Sequence, residues 1–149
     1  MAKIFPLDSA GFHPFGELIG FSFTRCEAGF SRCVLELADK LINPHGVLHG
    51  GAIYSMADTG MGAALYGYLE DDELCTTIEI KIMYYAPVTR GTVTCDTKLV
   101  HKTRRIASLE SDVFWEDKLV ARAVGTFYIF KQITPQTGGT GEAPGLQNV

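Results

Sequence analysis

The sequence predicts an α+β fold in which an antiparallel sheet of about six strands wraps around one long central helix. Three observations predict it. A strand-like hairpin comes first, an alanine-rich and proline-free segment with helical periodicity follows, and four strand-like runs come after it. A single sheet of this kind has two edge strands whose backbone groups need partners, so pairing of two edges in a dimer is a natural expectation.

The first half of the chain supplies the hairpin and the helix. Residues 17–26 and 30–38 are rich in strand formers and are separated by a turn-like stretch that ends at Gly29. Residues 39–49 contain several turn formers and are predicted to form a loop. Residues 50–67 lack proline and carry many alanines, which favours a long helix.

The predicted helix has two different faces when it is drawn at about 100° per residue. The face that suits burial against the sheet carries Ile53, Met56, Gly60, Ala63 and Ala64. The opposite face carries Asp58 with Gly51, Tyr54, Ser55, Met61, Gly62 and Leu65. Each interior glycine weakens a helix by roughly 1 kcal/mol relative to alanine. Gly60 and Gly62 therefore indicate close approach of the sheet, a partner subunit or a ligand, unless they are merely tolerated.

The second half of the chain supplies a meander of strands. The predicted strands cover residues 75–85, 91–102, 105–115 and 118–130. Within the first of these, simple alternation places Ile78, Ile80, Ile82 and Tyr84 on one face.

The chain divides into three segments. Residues 1–15 are expected to be an irregular lead-in with at most a short helical turn, and residues 16–131 hold the folded domain. Residues 132–149 are rich in glycine and proline and nearly free of bulky apolar side chains, which predicts a disordered tail.

Composition narrows the class of function. A net charge of −4 and the lack of a lysine- or arginine-rich block argue against nucleic acid as the main partner. No apolar run is long enough to span a membrane, and the start lacks the pattern of a signal peptide, so we expect a cytoplasmic protein. Cys26, Cys33, Cys75 and Cys95 lack the spacing of a zinc site or redox pair, so we expect free thiols and no metal or redox cofactor.

The most informative stretch is His49-Gly50-Gly51 at the predicted helix start, followed by Asp58 about two turns later. Backbone N–H groups at a helix start can stabilise a developing oxyanion, and a carboxylate can activate water. Hydrolysis of a thioester requires both. Each residue also has an ordinary interpretation, because Asp58 could be a solvated helix residue and Gly50 a helix cap.

The segment NPHGVLHGGAIYSMADTGMGAAL, together with TTIEIKIMYYAPVTRG downstream, resembles the hotdog-fold acyl-CoA thioesterases. The resemblance is specifically to the branch typified by phenylacetate-degradation thioesterases and their mammalian relatives. The likeness covers residues 15–130, and it implies a hotdog fold and hydrolysis of an acyl-CoA thioester.

The resemblance also implies roles for individual residues. Asp58 matches the carboxylate that activates water or attacks the carbonyl itself, and Gly50 matches the glycine whose N–H polarises the carbonyl. His49 matches a histidine that shapes this loop. Asn43 matches a polar residue near the carbonyl and the water, and Thr77 matches a small hydroxyl residue found near the site in some relatives. In the family these groups meet across a subunit interface, which implies a homodimer or a homotetramer built as a dimer of dimers. Coenzyme A is part of the substrate, so no cofactor is implied.

Further residues are candidates for substrate binding. Lys102, Arg104 and Arg105 surround a tight turn and either contact the phosphates of coenzyme A or form a solvated hairpin end; Arg90 has the same two interpretations. The candidates beside Asp58 for lining the acyl pocket, or for simple packing, are Gly51, Tyr54 and Met61.

Two other functions on the same fold remain open at this point. One is a non-catalytic protein that binds or senses acyl-CoA, although the aspartate–glycine pair is intact and no DNA-binding segment is attached. The other is an enoyl-CoA hydratase, which needs a histidine–carboxylate pair at the acyl chain. His49 is the only histidine near the motif, so the hydratase is the weaker alternative.

Overall fold

A long helix lies against the inner face of a six-stranded antiparallel sheet. The computed structural model describes residues 3–7 and 10–133. The elements in chain order are α1 (Pro14–Ile19), β1 (Phe21–Glu27), β2 (Phe30–Glu36), a 3-10 turn (Asp39–Leu41), α2 (Gly50–Tyr66), β3 (Glu73–Tyr84), β4 (Thr92–Lys102), β5 (Ile106–Trp115) and β6 (Lys118–Lys131). The strand order β1-β2-β4-β5-β6-β3 leaves β1 and β3 at the edges. The predicted α+β hotdog architecture is confirmed.

The predicted first strand is wrong at its start. Pro14–Ile19 is helical because His13 caps the helix by accepting the Gly16 N–H at 2.7 Å, with proline at the first helical position. Gly20 ends the helix in the left-handed conformation, with φ at 97°, and the strand begins only at Phe21. Most of the tail predicted over residues 132–149 lies outside the described residues.

The core divides into two clusters along α2. The first surrounds Ile53 and Met56, and the second surrounds Met61 and Leu65, whose side chains are fully buried. The prediction that Met61 and Leu65 share an open face with Asp58 is therefore wrong. The sheet curves around the helix and covers more of its circumference than a flat sheet would. Met61 fills the space beside Gly125 on β6, so it is a core residue and not a pocket wall.

The two helix glycines have different surroundings. A Cβ at Gly60 would lie 2.7 Å from the Thr97 hydroxyl, and the Ser31 hydroxyl donates to the Gly60 carbonyl at 2.7 Å. Thr97 in turn lies 2.6 Å from the Ser111 hydroxyl, so these buried hydroxyls all have partners. Close approach of the sheet thus explains Gly60. A Cβ at Gly62 would meet nothing within 4 Å.

A β-bulge divides β3 into two halves. Thr77 pairs with Phe127 and Ile80 with Gly125, so Ile78 is the extra residue of the bulge. The predicted single face through Ile78, Ile80 and Ile82 is therefore wrong, because Ile78 is 56% exposed. The bulge changes the alternation so that Thr77, and not Ile78, faces α2.

All four cysteines carry free thiols, and Cys33 and Cys95 are buried. Burial raises the pKa of the Cys26 and Cys75 thiols to about 11. Within residues 3–7 and 10–133, no group of three or more His, Cys, Asp and Glu side chains is placed to hold a metal ion. No helix of this part of the chain is long and apolar enough to cross a membrane.

Candidate active site

Several hydrogen bonds fix the start of α2. The Leu48 N–H donates to the Val88 carbonyl at 2.8 Å, and the His49 N–H donates to the Leu41 carbonyl at 2.8 Å. His49 caps the helix, because its Nδ1 accepts the Gly51 N–H at 2.8 Å. An accepting Nδ1 places the proton of the neutral ring on Nε2. His49 therefore shapes this loop and presents an N–H donor on its exposed side.

The Gly50 N–H is a donor without an acceptor in the described part of the chain. It belongs to the first helical residue, where the amide has no partner within the helix and the helix dipole favours negative charge. Gly50 lines a groove of about 320 Å³ together with Asn43 and Tyr84. The Gly51 N–H, in contrast, is already bonded to His49.

Asn43 organises the loop that forms one wall of this groove. Its Oδ1 accepts the N–H groups of His45 at 2.9 Å and Val47 at 3.3 Å, as in an Asx-type turn. The side-chain oxygen is thus used within the loop. The Nδ2 group has no partner among residues 3–7 and 10–133, so it is the part of Asn43 that can meet a ligand.

Asp58 and Thr77 are brought together although they are 19 positions apart. The Thr77 hydroxyl donates to Asp58 Oδ1 at 2.7 Å, and both side chains are half-buried. This bond exists because the bulge at Ile78 directs Thr77 towards α2. It holds one carboxylate oxygen and leaves Oδ2 without a partner within the described residues.

One copy of the chain does not unite all of the predicted groups. Asn43, His49 and Gly50 form what we call the donor half-site, and Asp58 with Thr77 forms the carboxylate half-site. Gly50 and Asp58 lie eight residues apart on one helix, which corresponds to about 12 Å of helix rise. The two half-sites are therefore neighbouring but separate on a single subunit.

The predicted phosphate contacts lie at opposite ends of the sheet. Residues 102–105, which we call the basic hairpin, connect β4 to β5. Both arginines of the basic hairpin are exposed, and Arg105 donates to the Tyr128 hydroxyl at 3.2 Å. Arg90 precedes β4, whose 11 residues extend over about 35 Å. Arg90 and the basic hairpin of one copy are thus too far apart to hold the same phosphates.

Tyr84 is a residue of this region that sequence reasoning did not select. Its hydroxyl donates to the Gly50 carbonyl at 2.8 Å. Partial burial, with a smaller contribution from Tyr54, raises the pKa of Tyr84. The sequence shows that Tyr84 stands near a strand end, shortly before Ala86-Pro87. It does not show the contact with Gly50, which lies 34 positions earlier.

Comparison with known proteins places these residues in a family context. The family model described as the thioesterase superfamily matches residues 45–121, which include His49 to Asp58, Thr77 and the basic hairpin. The chain is similar to the solved structure of conserved protein PA5202 from Pseudomonas aeruginosa, with 35% identity, a TM-score of 0.76 and coverage of 83% of this chain and 96% of that one.

Two further similarities point the same way. A point mutant of the phenylacetic acid degradation protein PaaI from Thermus thermophilus shares 27% identity at a TM-score of 0.72, over 77% of this chain and 97% of that one. The proofreading thioesterase EntH of Klebsiella pneumoniae is 29% identical over 98 residues, which are 66% of this chain and 72% of EntH.

Proposed function

The chain belongs to the thioesterase superfamily, and from that premise we propose that it hydrolyses the thioester of an acyl-coenzyme A to a carboxylic acid and free coenzyme A. The observation that carries the proposal is the 2.7 Å bond from Thr77 to Asp58, which orients a half-buried carboxylate beside β3, an edge strand of the sheet. The unpartnered Gly50 N–H supplies the second requirement, a donor for the oxyanion.

The proposed reaction uses these groups in order. Asp58 accepts a proton from water as the water oxygen attacks the thioester carbonyl. The carbonyl oxygen becomes an oxyanion opposite the Gly50 N–H. The tetrahedral intermediate then collapses, the C–S bond breaks, and the coenzyme A thiolate takes the proton from Asp58. Direct attack by Asp58 would instead form an anhydride and release the coenzyme A thiolate. Label on Asp58 after a single turnover in ¹⁸O-labelled water would identify this route, because the general-base route places the label only in the product acid.

The complete site is proposed to form between two copies of the chain. β3 pairs only with β6 among the strands described, so its other edge is open over 12 residues. Antiparallel pairing of two β3 strands reverses the order of the half-sites. The donor half-site of one subunit then faces the carboxylate half-site of the other. A homodimer, or a homotetramer built from such dimers, follows from this arrangement.

The substrate contacts are part of the same proposal. We assign the phosphates of coenzyme A to the basic hairpin, since arginine forks suit phosphate oxygens. Tyr54, half-buried near the carboxylate half-site, is a wall of the acyl pocket. The reaction needs no cofactor, and four free cysteines suit a reducing compartment such as the cytoplasm. The hydratase alternative has no support from His49, whose Nδ1 is engaged in the helix cap.

A matched pair of substitutions at Gly50 tests the oxyanion donor. Gly50→Pro removes this N–H, and proline is well tolerated at the first helical position. His49 has φ −62° and ψ 130°, which suits a residue before proline. Gly50→Ala adds a Cβ against Tyr84 but keeps the N–H. We expect Gly50→Pro to release thiol about 10²–10³-fold more slowly than Gly50→Ala. Equal rates would remove Gly50 from the mechanism.

Asp58 and the subunit arrangement are tested together by complementation. We expect Asp58→Ala to lower thiol release from acyl-CoA about 10²–10⁴-fold. A mixture of Asp58→Ala and Gly50→Pro subunits, unfolded and refolded together, should regain activity because one composite site of each mixed dimer is intact. No recovery in proven mixed dimers would place the whole site in one subunit. Wild-type binding of acyl-CoA without thiol release would favour the non-catalytic alternative.

A further inference from the structure

Tyr84 lies directly against the donor half-site. It is the last residue of β3 and pairs with Ala121, which is buried, so it lies on the inner side of the sheet. Its ring atoms and hydroxyl lie 3.1–3.2 Å from the position that a Cβ on Gly50 would take. Its hydroxyl donates to the Gly50 carbonyl at 2.8 Å. Tyr84 therefore contacts Gly50 both through its ring and through a hydrogen bond.

We propose that Tyr84 is a positioning residue for the thioesterase reaction: it fixes the backbone at Gly50, a residue that lines the groove, so that the unpartnered N–H keeps one orientation. This inference rests on the proposed function. It gives Tyr84 no contact with the reacting atoms, because its hydroxyl proton is already donated to a backbone carbonyl.

The hydrogen bonds around Gly50 explain how Tyr84 acts. The Gly50 carbonyl belongs to the same peptide unit as the Gly51 N–H, which donates to His49 Nδ1 at 2.8 Å. Tyr84 and His49 thus hold the two ends of one peptide plane, and bonds in such a chain strengthen each other. The preceding peptide, which carries the Gly50 N–H, is held at its other end because the His49 carbonyl accepts the Ala52 N–H at 2.9 Å. Both planes that meet at Gly50 are therefore fixed.

Glycine at position 50 makes this second support necessary. A residue without a side chain has more backbone freedom than any other, and an amide at a helix start has no helical partner to hold it. Positioning errors of about 1 Å can lower a rate by about a hundredfold. The Tyr84 ring occupies the space that a side chain on Gly50 would need, so it also limits movement of the Gly50 Cα.

The neighbouring tyrosine provides a matched control. Tyr85 follows Tyr84 directly and also lines the groove, but its hydroxyl lies 3.9 Å from the Met83 sulfur and makes no bond to Gly50. Tyr84→Phe and Tyr85→Phe therefore remove the same hydroxyl, but only the first removes a bond to Gly50.

Steady-state thiol release from one acyl-CoA tests the inference. We expect Tyr84→Phe to lower kcat about fivefold to twentyfold with KM within twofold of wild type, and Tyr85→Phe to leave both within twofold. A rise in KM at unchanged kcat would make Tyr84 a substrate contact and overturn the inference. Equal effects of the two variants would also overturn it.

A double variant separates positioning from a general structural effect. In Gly50→Pro the N–H is already absent, so adding Tyr84→Phe should not lower kcat further, whereas a general structural effect would lower it again. Melting temperatures of all variants control for folding. If the wild type is active but the two substitutions lower kcat additively, the role of Tyr84 is overturned and the proposed function stands. Wild type without thiol release would overturn the proposed function, and this role with it.

Discussion

Replacing Thr77 by valine isolates the bond that orients the proposed general base. Valine keeps the β-branched shape and the strand preference of threonine but cannot donate a hydrogen bond. Asp58 would then lose its partner at Oδ1, at present 2.7 Å away. Its carboxylate could rotate away from the water that it must deprotonate, and catalysis depends on that alignment.

The size of the effect follows from the type of bond. A hydrogen bond to a charged group contributes about 1.5–3 kcal/mol, and each 1.4 kcal/mol corresponds to about a factor of ten. Asp58 is only half-buried, so water can replace part of the interaction. We therefore expect kcat to fall about tenfold to thirtyfold, at the lower end of the range that those energies allow.

Thr76→Val is the matched control. Thr76 precedes Thr77 on β3 but faces outward and is exposed. The assay is thiol release followed continuously with a chromogenic disulfide, on folded protein checked by circular dichroism. Thr77→Val should lose activity, while Thr76→Val should match wild type. If both variants keep wild-type kcat, the Thr77–Asp58 bond has no part in the reaction.

Three further predictions concern stability, thiol reactivity and substrate binding. Gly60→Ala should destabilise the protein by about 1–3 kcal/mol through the clash with Thr97, whereas Gly62→Ala should stabilise it by up to about 1 kcal/mol. Urea unfolding at one protein concentration measures both, and changes of the same sign would contradict the packing described. The raised pKa of Cys75, about 11 against an ordinary 9.0, lowers its thiolate fraction at pH 8 about 100-fold. Iodoacetamide should therefore label it at least 100-fold more slowly in the native than in the unfolded protein, a ratio measured by mass spectrometry. Replacing both arginines of the basic hairpin by alanine should raise KM for acyl-CoA about tenfold but not for an acyl-pantetheine, which lacks the nucleotide. An equal rise for both substrates would contradict the phosphate contact.

Periodicity predicted most elements to within a few residues, because burial on one side imposes a period on the sequence. The helix predicted over residues 50–67 is Gly50–Tyr66, and the strand predicted over residues 105–115 is Ile106–Trp115. The prediction of a strand that starts at residue 17 is wrong because a histidine cap and a proline begin a short helix just before that position. The strand propensity of individual residues contains no information about helix capping.

The candidate site was harder to predict where it depends on irregularity or distance. The bulge at Ile78 reverses which of two neighbouring side chains faces the helix, and no alternating pattern shows where an extra residue is inserted. Met61 was placed with Asp58 by angle alone, since the curvature of the sheet that buries it is a property of the whole fold. The role of Tyr84 depends on a contact between distant segments.

The hydroxyl groups beneath α2 determine the longitudinal register of the helix on the sheet. Apolar packing alone would tolerate sliding, but the bond from Ser31 to the Gly60 carbonyl exists at one offset only. Asp58 lies half a turn before Gly60, so that offset also decides whether its carboxylate is level with Thr77. The Ser31 hydroxyl, which is not part of the candidate site, thus helps to set the position of the Asp58 carboxylate. Ser31→Ala would weaken this positioning without changing any group of the site.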